Sequence, residues 1–289
     1  MAWIESLQKA IDYMEDHILE PITIEEIAQQ ANASSFHFQR TFSILTDITV
    51  GDYIRRRRLT LAAQELSRES GKIIDVAFKY GYDTPEAFSK AFSRQHGVTP
   101  SEARKTIGKF TSYNRLVIQV SLKGAEPMQY HFVDKEAFQI TGIKQGFSST
   151  NGENLIGIPK MWAEVNQNGI DDQLFQLNND VIPGVLGVCV DHRDTPSGTD
   201  MDYWIATTYD GTAPEGFSSL EIPAAKWVVF EVRGPMPDAM QNAWKQIFSE
   251  WFPTSGYTHA AGIPEMEVYS KEDPSSPDLY SEIWIPIQS

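Results

Sequence analysis

Apolar residues recur at two different periods along the chain, and the period changes near residue 105. Before that point they are spaced three and four residues apart, as in Ile4, Leu7 and Ile11, which predicts amphipathic helices. The predicted helices cover 3–19, 24–31, 35–46, 50–69, 73–80 and 85–96, with a short helix after Thr99. After residue 105, apolar and polar residues alternate, which predicts strands. Strands are expected at 128–147, 183–191, 201–210, 218–233, 263–270 and 279–288, interrupted by helices at 153–168 and 236–252.

Both parts are internally repeated. Residues 24–54 superpose on residues 73–104, with Phe38 corresponding to Phe88, and each copy reads as helix, tight turn, helix and capped third helix. In the second part the order strand, helix, strand, strand occurs twice. The expected fold is multidomain, with an all-α N-terminal domain of two helix-turn-helix units and an α+β domain of two βαββ-like repeats. The expected boundaries are 1–107 and 127–289, joined by a linker over 108–126.

The charge is distributed unevenly between the two parts. Of 24 Lys and Arg and 39 Asp and Glu, residues 1–107 hold 13 and 15, a net of −2, which leaves 11 and 24, a net of −13, for residues 108–289. The overall net charge of −15 is therefore no argument against nucleic-acid binding by the first part. The single cysteine, Cys189, excludes an internal disulfide and lies in an apolar run that favours a buried position.

Paired helix-turn-helix units predict binding to double-stranded DNA. The second helix of such a unit enters the major groove, where exposed side chains meet base edges. We expect this role for Ser35, Phe36, Gln39 and Arg40 in the first unit and for Thr84, Glu86, Lys90 and Arg94 in the second. Arg55, in a run of four arginines, is a candidate phosphate contact. The first unit presents the richer reading surface. The alternative is a helical interaction module that does not contact DNA.

The last strand predicts a binding site for a cation. Period-2 alternation places Tyr280, Glu282 and Trp284 on one face, and a carboxylate between aromatic rings suits a lipophilic cation. Trp204, the repeat mate of Trp284, and Trp162 are expected to add to the wall. The alternative is that Glu282 is a solvated strand residue and the tryptophans belong to the core.

Two known families resemble these parts. The run DVAFKYGYDTPEAFSKAFSRQHGVTPSEAR, with FQRTF and GDYIRRRRL before it, resembles the AraC/XylS DNA-binding domain over residues 4–106. It departs from that pattern at Asp47, where glycine is usual, and at Ala103, where an aromatic is usual. The closing YSEIWIPIQS resembles the GyrI-like effector-binding domain over 127–288. Together they have the layout of the Rob-type regulators, and the resemblance implies a buried glutamate at Glu282 that binds cationic drugs.

The expected function is transcriptional regulation by a chain whose C-terminal domain binds a small hydrophobic, cationic effector. RNA polymerase is a further partner that such a regulator can contact. The alternative from another class is a GyrI-like hydrolase fused to a DNA-binding domain, with Glu282 as general base. A third is an acidic domain that binds a protein. No metal site, catalytic constellation or cofactor motif is expected, nor a signal peptide or membrane span, so we expect a cytoplasmic protein.

Overall fold

The chain forms two compact units. The computed structural model describes residues 2–68, 71–105, 110–118, 127–148, 153–191 and 201–288. By residue contacts, Ala2–Phe38 and Ile48–Val120 form one unit, whereas Gln39–Asp47 and Ser121–Ser289 form the other. This division differs from the boundaries expected from the sequence, because a segment inside the first expected domain clusters with the second part of the chain.

The first unit is helical and contains the two expected helix-turn-helix motifs. Its helices are α1 (Ala2–Asp16), α2 (Ile24–Gln30), α3 (Ser35–Thr46), α4 (Val50–Arg68), α5 (Ile73–Lys79), α6 (Pro85–His96) and α7 (Pro100–Lys105). The motifs are α2–α3 and α5–α6, and α4 connects them. α3 is divided between the two units after Phe38. Within the described residues, no helix combines the length and the apolar character needed to cross a membrane.

Cap and turn residues explain where these helices begin and end. Thr23 Oγ1 accepts a hydrogen bond from the Glu26 backbone N–H at 3.3 Å, and the Glu26 carboxylate accepts one from the Thr23 N–H at 2.8 Å, so a capping box opens α2. The turns use left-handed backbone at Asn32 (φ 53°) and Gly81 (φ 81°). Gly97, at φ 74°, ends α6.

The arginine run on α4 divides between structural and exposed roles. Arg57 forms a two-point contact with Glu15, with Nε to Oε1 at 2.7 Å and Nη2 to Oε2 at 2.6 Å. Arg58 donates to the backbone carbonyls of Ile18 and Glu20 at 2.6 and 2.8 Å. The acid that pairs with Arg57 therefore lies on α1, before the first repeat, whereas Arg55 and Arg56 pair with Asp52 on α4 itself. Two of the four are therefore committed to holding α1 and the α1–α2 connection against α4.

The described part of the expected linker packs along the helical unit. The Tyr113 carbonyl accepts from Arg57 Nη1 at 2.6 Å, and the Leu116 N–H donates to the Tyr53 hydroxyl at 3.2 Å. The Ile118 N–H donates to the Gln8 side chain at 3.0 Å. Residues 110–118 thus behave as a strap across α1 and α4, rather than as a free tether.

The second unit contains an antiparallel sheet with helices. Its strands are β1 (Tyr130–Lys135), β2 (Phe138–Phe147), β3 (Val185–Asp191), β4 (Met201–Thr208), β5 (Ser218–Ile222), β6 (Ala225–Arg233), β7 (Thr258–His259), β8 (Glu265–Tyr269) and β9 (Tyr280–Gln288). Its helices are α8 (Glu153–Asn168), α9 (Ile170–Leu177), α10 (Asp238–Gln246), a π-helical segment (Ile247–Trp251) and α11 (Phe252–Ser255). The expected strands 128–147 and 218–233 are each two strands, and the sequence reading missed α9.

Strand order reveals the duplication in space. The order is β1-β6-β9-β8-β3-β4-β2-β5, with β7 paired to the end of β9. The central pair is β8 and β3, and from it each half runs outward through three strands of one repeat, β3-β4-β2 and β8-β9-β6, while the edge strands β5 and β1 are exchanged between the repeats. The expected two-repeat α+β architecture is therefore confirmed.

Side-chain alternation gives the sheet two different faces. Val188 lies opposite both Trp204 and Met266, and Met266 lies opposite Trp284, so these four share one face and belong to one buried apolar cluster. Cys189, one residue along β3, is paired with Tyr203 on β4 and Glu265 on β8. These polar and ionisable side chains therefore share the opposite face.

Candidate functional site

The two DNA-reading helices expected from the sequence differ in exposure. On α6, the residues expected to read DNA all have exposed side chains; they are Thr84, Glu86, Lys90 and Arg94. Thr84 also caps α6, accepting the Ala87 N–H at 3.1 Å. Arg55 is exposed on α4 and forms an ion pair with Asp52. The second motif thus presents a complete polar surface to solvent.

On α3, the expected exposure is wrong for two residues. Phe36 and Gln39 are buried, with 6% and 5% of their surfaces exposed, while Ser35 is half-buried. Burial of the Phe36 ring is favourable because it removes apolar surface from water. Gln39 belongs to the segment that clusters with the second unit. A base-reading role for these residues stays a prediction.

The effector residues expected on β9 form a closed row of hydrogen bonds. Glu282 accepts from the Tyr280 hydroxyl at 2.6 Å and from Trp284 Nε1 at 2.7 Å. Burial and the hydrogen bond to Glu282 raise the pKa of the Tyr280 hydroxyl. Trp204 and Trp284 are both buried in the apolar cluster on this face, so the structure brings these expected residues to one side of the sheet. The neighbours on its own strand occupy both carboxylate oxygens of Glu282.

Trp162 lies on the other face, within a second set of acids and aromatic rings. Its indole N–H donates to the Tyr203 hydroxyl at 2.9 Å, and its ring meets Tyr269 edge-on, with centroids 5.0 Å apart. Glu267 on β8 accepts from Trp244 Nε1 at 2.7 Å and from the Tyr269 hydroxyl at 2.8 Å. Strands β4 and β8 and helices α8 and α10 therefore converge on one carboxylate walled by aromatic side chains.

Gly187 on β3 provides the room that this site needs. A Cβ atom at this position would lie 2.3 Å from the Tyr203 hydroxyl oxygen and 3.5 Å from Glu267 Oε2. A Cβ atom does not come within 2.3 Å of a non-bonded oxygen, so glycine at position 187 leaves the space in which the Tyr203 phenol lies across β3. Burial, and then the charge of Glu267, raise the pKa values of Tyr203 and Tyr269 well above the usual value of 10, which keeps both phenols neutral.

A cation already occupies this acidic site. Arg40, in the Gln39–Asp47 segment, donates from Nε to Glu265 Oε2 at 3.1 Å, and its Nη2 lies 3.5 Å from Glu267 Oε1. Its guanidinium carbon lies 4.5 Å from the centroid of the Trp244 ring. The Arg40 side chain is 18% exposed and that of Glu265 is 5% exposed. We call Glu265, Glu267, Trp244, Tyr203 and Tyr269 the acid-pair site.

The pKa values at this site agree with a bound cation. Burial is the largest effect on Arg40 and lowers its pKa, but Cys189, Glu265 and Glu267 together raise it above the normal value. Burial raises the pKa of the Cys189 thiol to about 12, so this sulfur stays protonated near neutral pH. Cys189 Sγ lies 3.8 Å from Arg40 Nη1 and is a weak acceptor for it. The acid-pair site thus holds the charge of a guanidinium, with little access to water.

Comparison with known proteins identifies both parts of the chain. Residues 128–288 match the family described as the GyrI-like small molecule binding domain, and residues 27–106 match a helix-turn-helix domain. Over 98 residues the chain is 41% identical to the regulatory protein SoxS of Escherichia coli K12, covering 34% of this chain and 92% of that protein. The chain is an AraC-type transcriptional regulator with a GyrI-like domain.

The same two-part layout extends over the whole chain in a relative. The right origin-binding protein of Escherichia coli K12 is 26% identical over 288 residues, with 96% of each chain covered. The structure of SAV2435 bound to tetraphenylphosphonium is similar to the GyrI-like part, with a TM-score of 0.50 and 25% identity, covering 56% of this chain and 95% of that one. DNA binding and small-molecule binding are therefore the two activities that this regulator combines.

Sequence reasoning missed Glu265 and Glu267 in the GyrI-like domain. The signal was present, because Glu265, Glu267 and Tyr269 alternate along β8 just as Tyr280, Glu282 and Trp284 do along β9. The register places Val268 opposite Glu282, so the two rows face opposite sides of the sheet. The sequence did not show which side of the sheet helices α8 and α10 would cover.

Proposed function

We propose that the GyrI-like domain of this regulator binds a hydrophobic organic cation at the acid-pair site, and that binding alters the regulator's action on DNA. The observation that carries the proposal is the Arg40 guanidinium between Glu265 and Glu267 against the Trp244 ring. A site that holds one cation among carboxylates and aromatic faces has the chemistry to hold another. The similar protein SAV2435 binds tetraphenylphosphonium, a lipophilic cation, and this supports the same ligand class here.

Charge and shape both favour an aromatic cation over an inorganic one. Trp244, Trp162, Tyr203 and Tyr269 present rings and ring edges around the acids, and each cation–π contact adds about 0.5–2 kcal/mol. A desolvated carboxylate pair costs free energy unless a cation compensates it. The aromatic wall excludes water from that pairing and increases its strength.

The row on β9 is the alternative location for the effector. Both oxygens of Glu282 accept hydrogen bonds from strand neighbours, as both oxygens of Glu267 accept from Trp244 and Tyr269, but around Glu282 the rings of Trp204 and Trp284 are buried in the apolar cluster. Binding there requires an opening of that cluster, whereas the acid-pair site holds a cation as it stands. For that reason we place the effector at Glu267 rather than Glu282.

Isothermal titration calorimetry of the full chain tests this assignment. Tetraphenylphosphonium is the probe, and triphenylphosphine oxide is a neutral triaryl control. We expect Glu267→Gln to weaken tetraphenylphosphonium by about 10- to 100-fold, because the Coulomb attraction of opposite charges a few ångströms apart is worth about 3–4 kcal/mol at an effective dielectric constant of about 20, and to change binding of the oxide little. Glu282→Gln is the matched variant and should leave both affinities within about threefold of wild type, a difference below about 0.7 kcal/mol.

The outcomes separate the candidate functions. Selective loss of cation binding in Glu282→Gln would assign the effector site to β9. Equal loss of tetraphenylphosphonium and triphenylphosphine oxide binding in Glu267→Gln would show that the charge of Glu267 does not contribute to ligand selection. We expect cationic ligands that carry an ester to be recovered unchanged after incubation with the protein. Time-dependent hydrolysis of the ester would favour the hydrolase instead. The relatives named above are regulators, which gives no support to a hydrolase.

DNA reading is proposed for the exposed face of α6, together with α3 when its side chains are free to reach a groove. Thr84, Glu86, Lys90 and Arg94 already face solvent. Arg40 can read a base only when it leaves Glu265, since one guanidinium cannot occupy both places. RNA polymerase contact is a further proposal, which follows only from the regulator class.

A further inference from the structure

We propose that the acid-pair site is built for a planar guanidinium or amidinium group, and that Arg40 is its internal ligand, which an effector of that class must replace. The inference rests on the proposed function and adds to it the chemical class of the effector and the residue with which it competes. It is carried by the arrangement of donors and acceptors around Arg40.

The acceptors match a planar fork of N–H donors. Arg40 directs Nε to Glu265 Oε2 at 3.1 Å, Nη2 toward Glu267 Oε1 at 3.5 Å, and Nη1 toward Cys189 Sγ at 3.8 Å. The three nitrogens of one plane thus face three different partners, through a hydrogen bond to Glu265, an ion pair with Glu267 and a weak hydrogen bond to Cys189. A guanidinium has five such N–H donors in fixed geometry, whereas an ammonium is a compact point charge and a quaternary cation has no donors.

The aromatic surface also selects a flat cation. The Arg40 guanidinium carbon is 4.5 Å from the Trp244 ring centroid, a distance at which a planar cation lies over the indole. The Trp244 N–H simultaneously donates to Glu267, so one side chain fixes the acid and covers the cation. A tetrahedral cation has no flat face to lay on the ring and no planar set of N–H donors for the carboxylates.

The site is complete without Arg40, which distinguishes an internal ligand from a framework residue. Glu267 keeps its hydrogen bonds from Trp244 and Tyr269, and Trp162 holds Tyr203, whether or not Arg40 is present. Removal of Arg40 therefore takes the guanidinium away from two adjacent, largely buried carboxylates inside a formed wall, of which Glu265 still has His259 Nε2 at 3.5 Å from its Oε1. Such a pair has a strong requirement for a cation.

The segment that carries Arg40 has a separate attachment to the same unit. Asp47, at its C-terminal end, forms an exposed ion pair with Lys245 of α10 at 2.7 Å. Exposed pairs of this kind contribute little, on the order of 0–1 kcal/mol, whereas the Arg40 contacts are largely buried. An effector that takes the two carboxylates thus removes the buried polar contacts of Arg40.

Calorimetric titration of the full chain with phenylguanidinium tests the inference. Phenylurea is its neutral isostere, and benzylammonium has the same charge without the planar fork. We expect Arg40→Ala to bind phenylguanidinium about 10- to 100-fold more tightly than wild type, because the internal competitor is gone. The same variant should prefer phenylguanidinium to benzylammonium by about tenfold or more and should bind phenylurea weakly.

Matched variants guard against trivial outcomes. Arg115→Ala removes another arginine, in an exposed ion pair with Asp12, and should leave phenylguanidinium affinity at the wild-type value. Should Arg40→Ala fail to fold, Arg40→Lys retains the charge but loses the fork, and it should bind phenylguanidinium more tightly than wild type by a smaller factor.

Several results would overturn the inference while leaving the proposed function intact. Tetraphenylphosphonium binding that depends on Glu267, together with equal phenylguanidinium affinity in wild type and Arg40→Ala, would show a cation site without an internal ligand. Equal affinity of the variant for benzylammonium and phenylguanidinium would refute the preference for a planar fork. Failure of every cation to bind either protein would defeat the inference and the proposed function together.

Discussion

Replacement of Arg57 by methionine tests how the helical unit is held together. Arg57 and Glu15 are 11% and 7% exposed and meet through two contacts of 2.7 and 2.6 Å, and Arg57 also donates to the Tyr113 carbonyl at 2.6 Å. In Arg57→Met the Glu15 carboxylate keeps only the Tyr53 hydroxyl, at 2.6 Å. Loss of one partner of a buried pair costs about 3–5 kcal/mol. Some water reaches both groups, so we expect about 3 kcal/mol.

Hydrogen exchange of the full chain measures this cost in the relevant unit. A loss of about 3 kcal/mol corresponds to roughly 100-fold faster exchange of the slowest amides in α4 (Val50–Arg68). Arg55→Met is the matched control, because its pair with Asp52 is exposed, and it should change exchange by about twofold at most. The double change Glu15→Leu with Arg57→Met should exchange more slowly than Arg57→Met alone, since no charge is then left unpaired. Similar exchange in the Arg57 and Arg55 variants would refute the reasoning.

Four further outcomes follow from the structure. Gly187→Ala should lower the free energy of unfolding by about 1–3 kcal/mol in thermal or urea unfolding, since its Cβ would overlap the Tyr203 hydroxyl; an unchanged midpoint would mean that the phenol moves freely. Burial favours a higher pKa for Glu15, but hydrogen bonds from Arg57 and Tyr53 bring it below the ordinary 4.5. The stability contributed by Glu15 is therefore fully present above about pH 4.5 and should be lost as pH falls further, to a smaller extent in Glu15→Gln. A fragment of residues 1–118 should unfold at a higher temperature than one of residues 1–109, which lacks the strap; equal midpoints would make the strap dispensable. Lys90→Ala should weaken binding to a selected DNA site by about 1–3 kcal/mol with altered base preference, whereas uniform weakening across sequences would assign Lys90 to phosphate.

The sequence predicted the helical unit closely because its signals are local. Helix α3 begins and ends where expected, and the capping residues Thr23 and Glu26 mark the start of α2. The duplication adds a check, since each copy predicts the other. Helix ends determined by caps, glycines and prolines require no knowledge of distant contacts.

The sheet was predicted less accurately, for reasons of geometry. β1 and β2 are separated only by Glu136 and Ala137, and β5 and β6 only by Pro223 and Ala224, so each pair read as one long strand. Whether a strand continues or turns depends on which neighbour it pairs with. β1 in fact pairs with β6, and β2 pairs with β4 and β5.

The acid-pair site could not be derived from local pattern at all. Glu267 and Trp162 are 105 positions apart in the chain, and only the pairing of β8, β3 and β4 brings their surroundings together. The burial of Phe36 and Gln39 could not be predicted either. The residue types on a helix face do not show whether that face meets water or another part of the protein. Long-range strand pairing, rather than residue type, decided where the acid-pair site forms.

The most direct test is a structure of the full chain determined with phenylguanidinium bound. We expect the cation between Glu267 and the Trp244 ring, in hydrogen bonds with Glu265 and Glu267, with the Arg40 guanidinium displaced from both acids. A ligand bound at Glu282 between Tyr280 and Trp284, with Arg40 still on Glu265, would contradict the assignment of the effector to the acid-pair site.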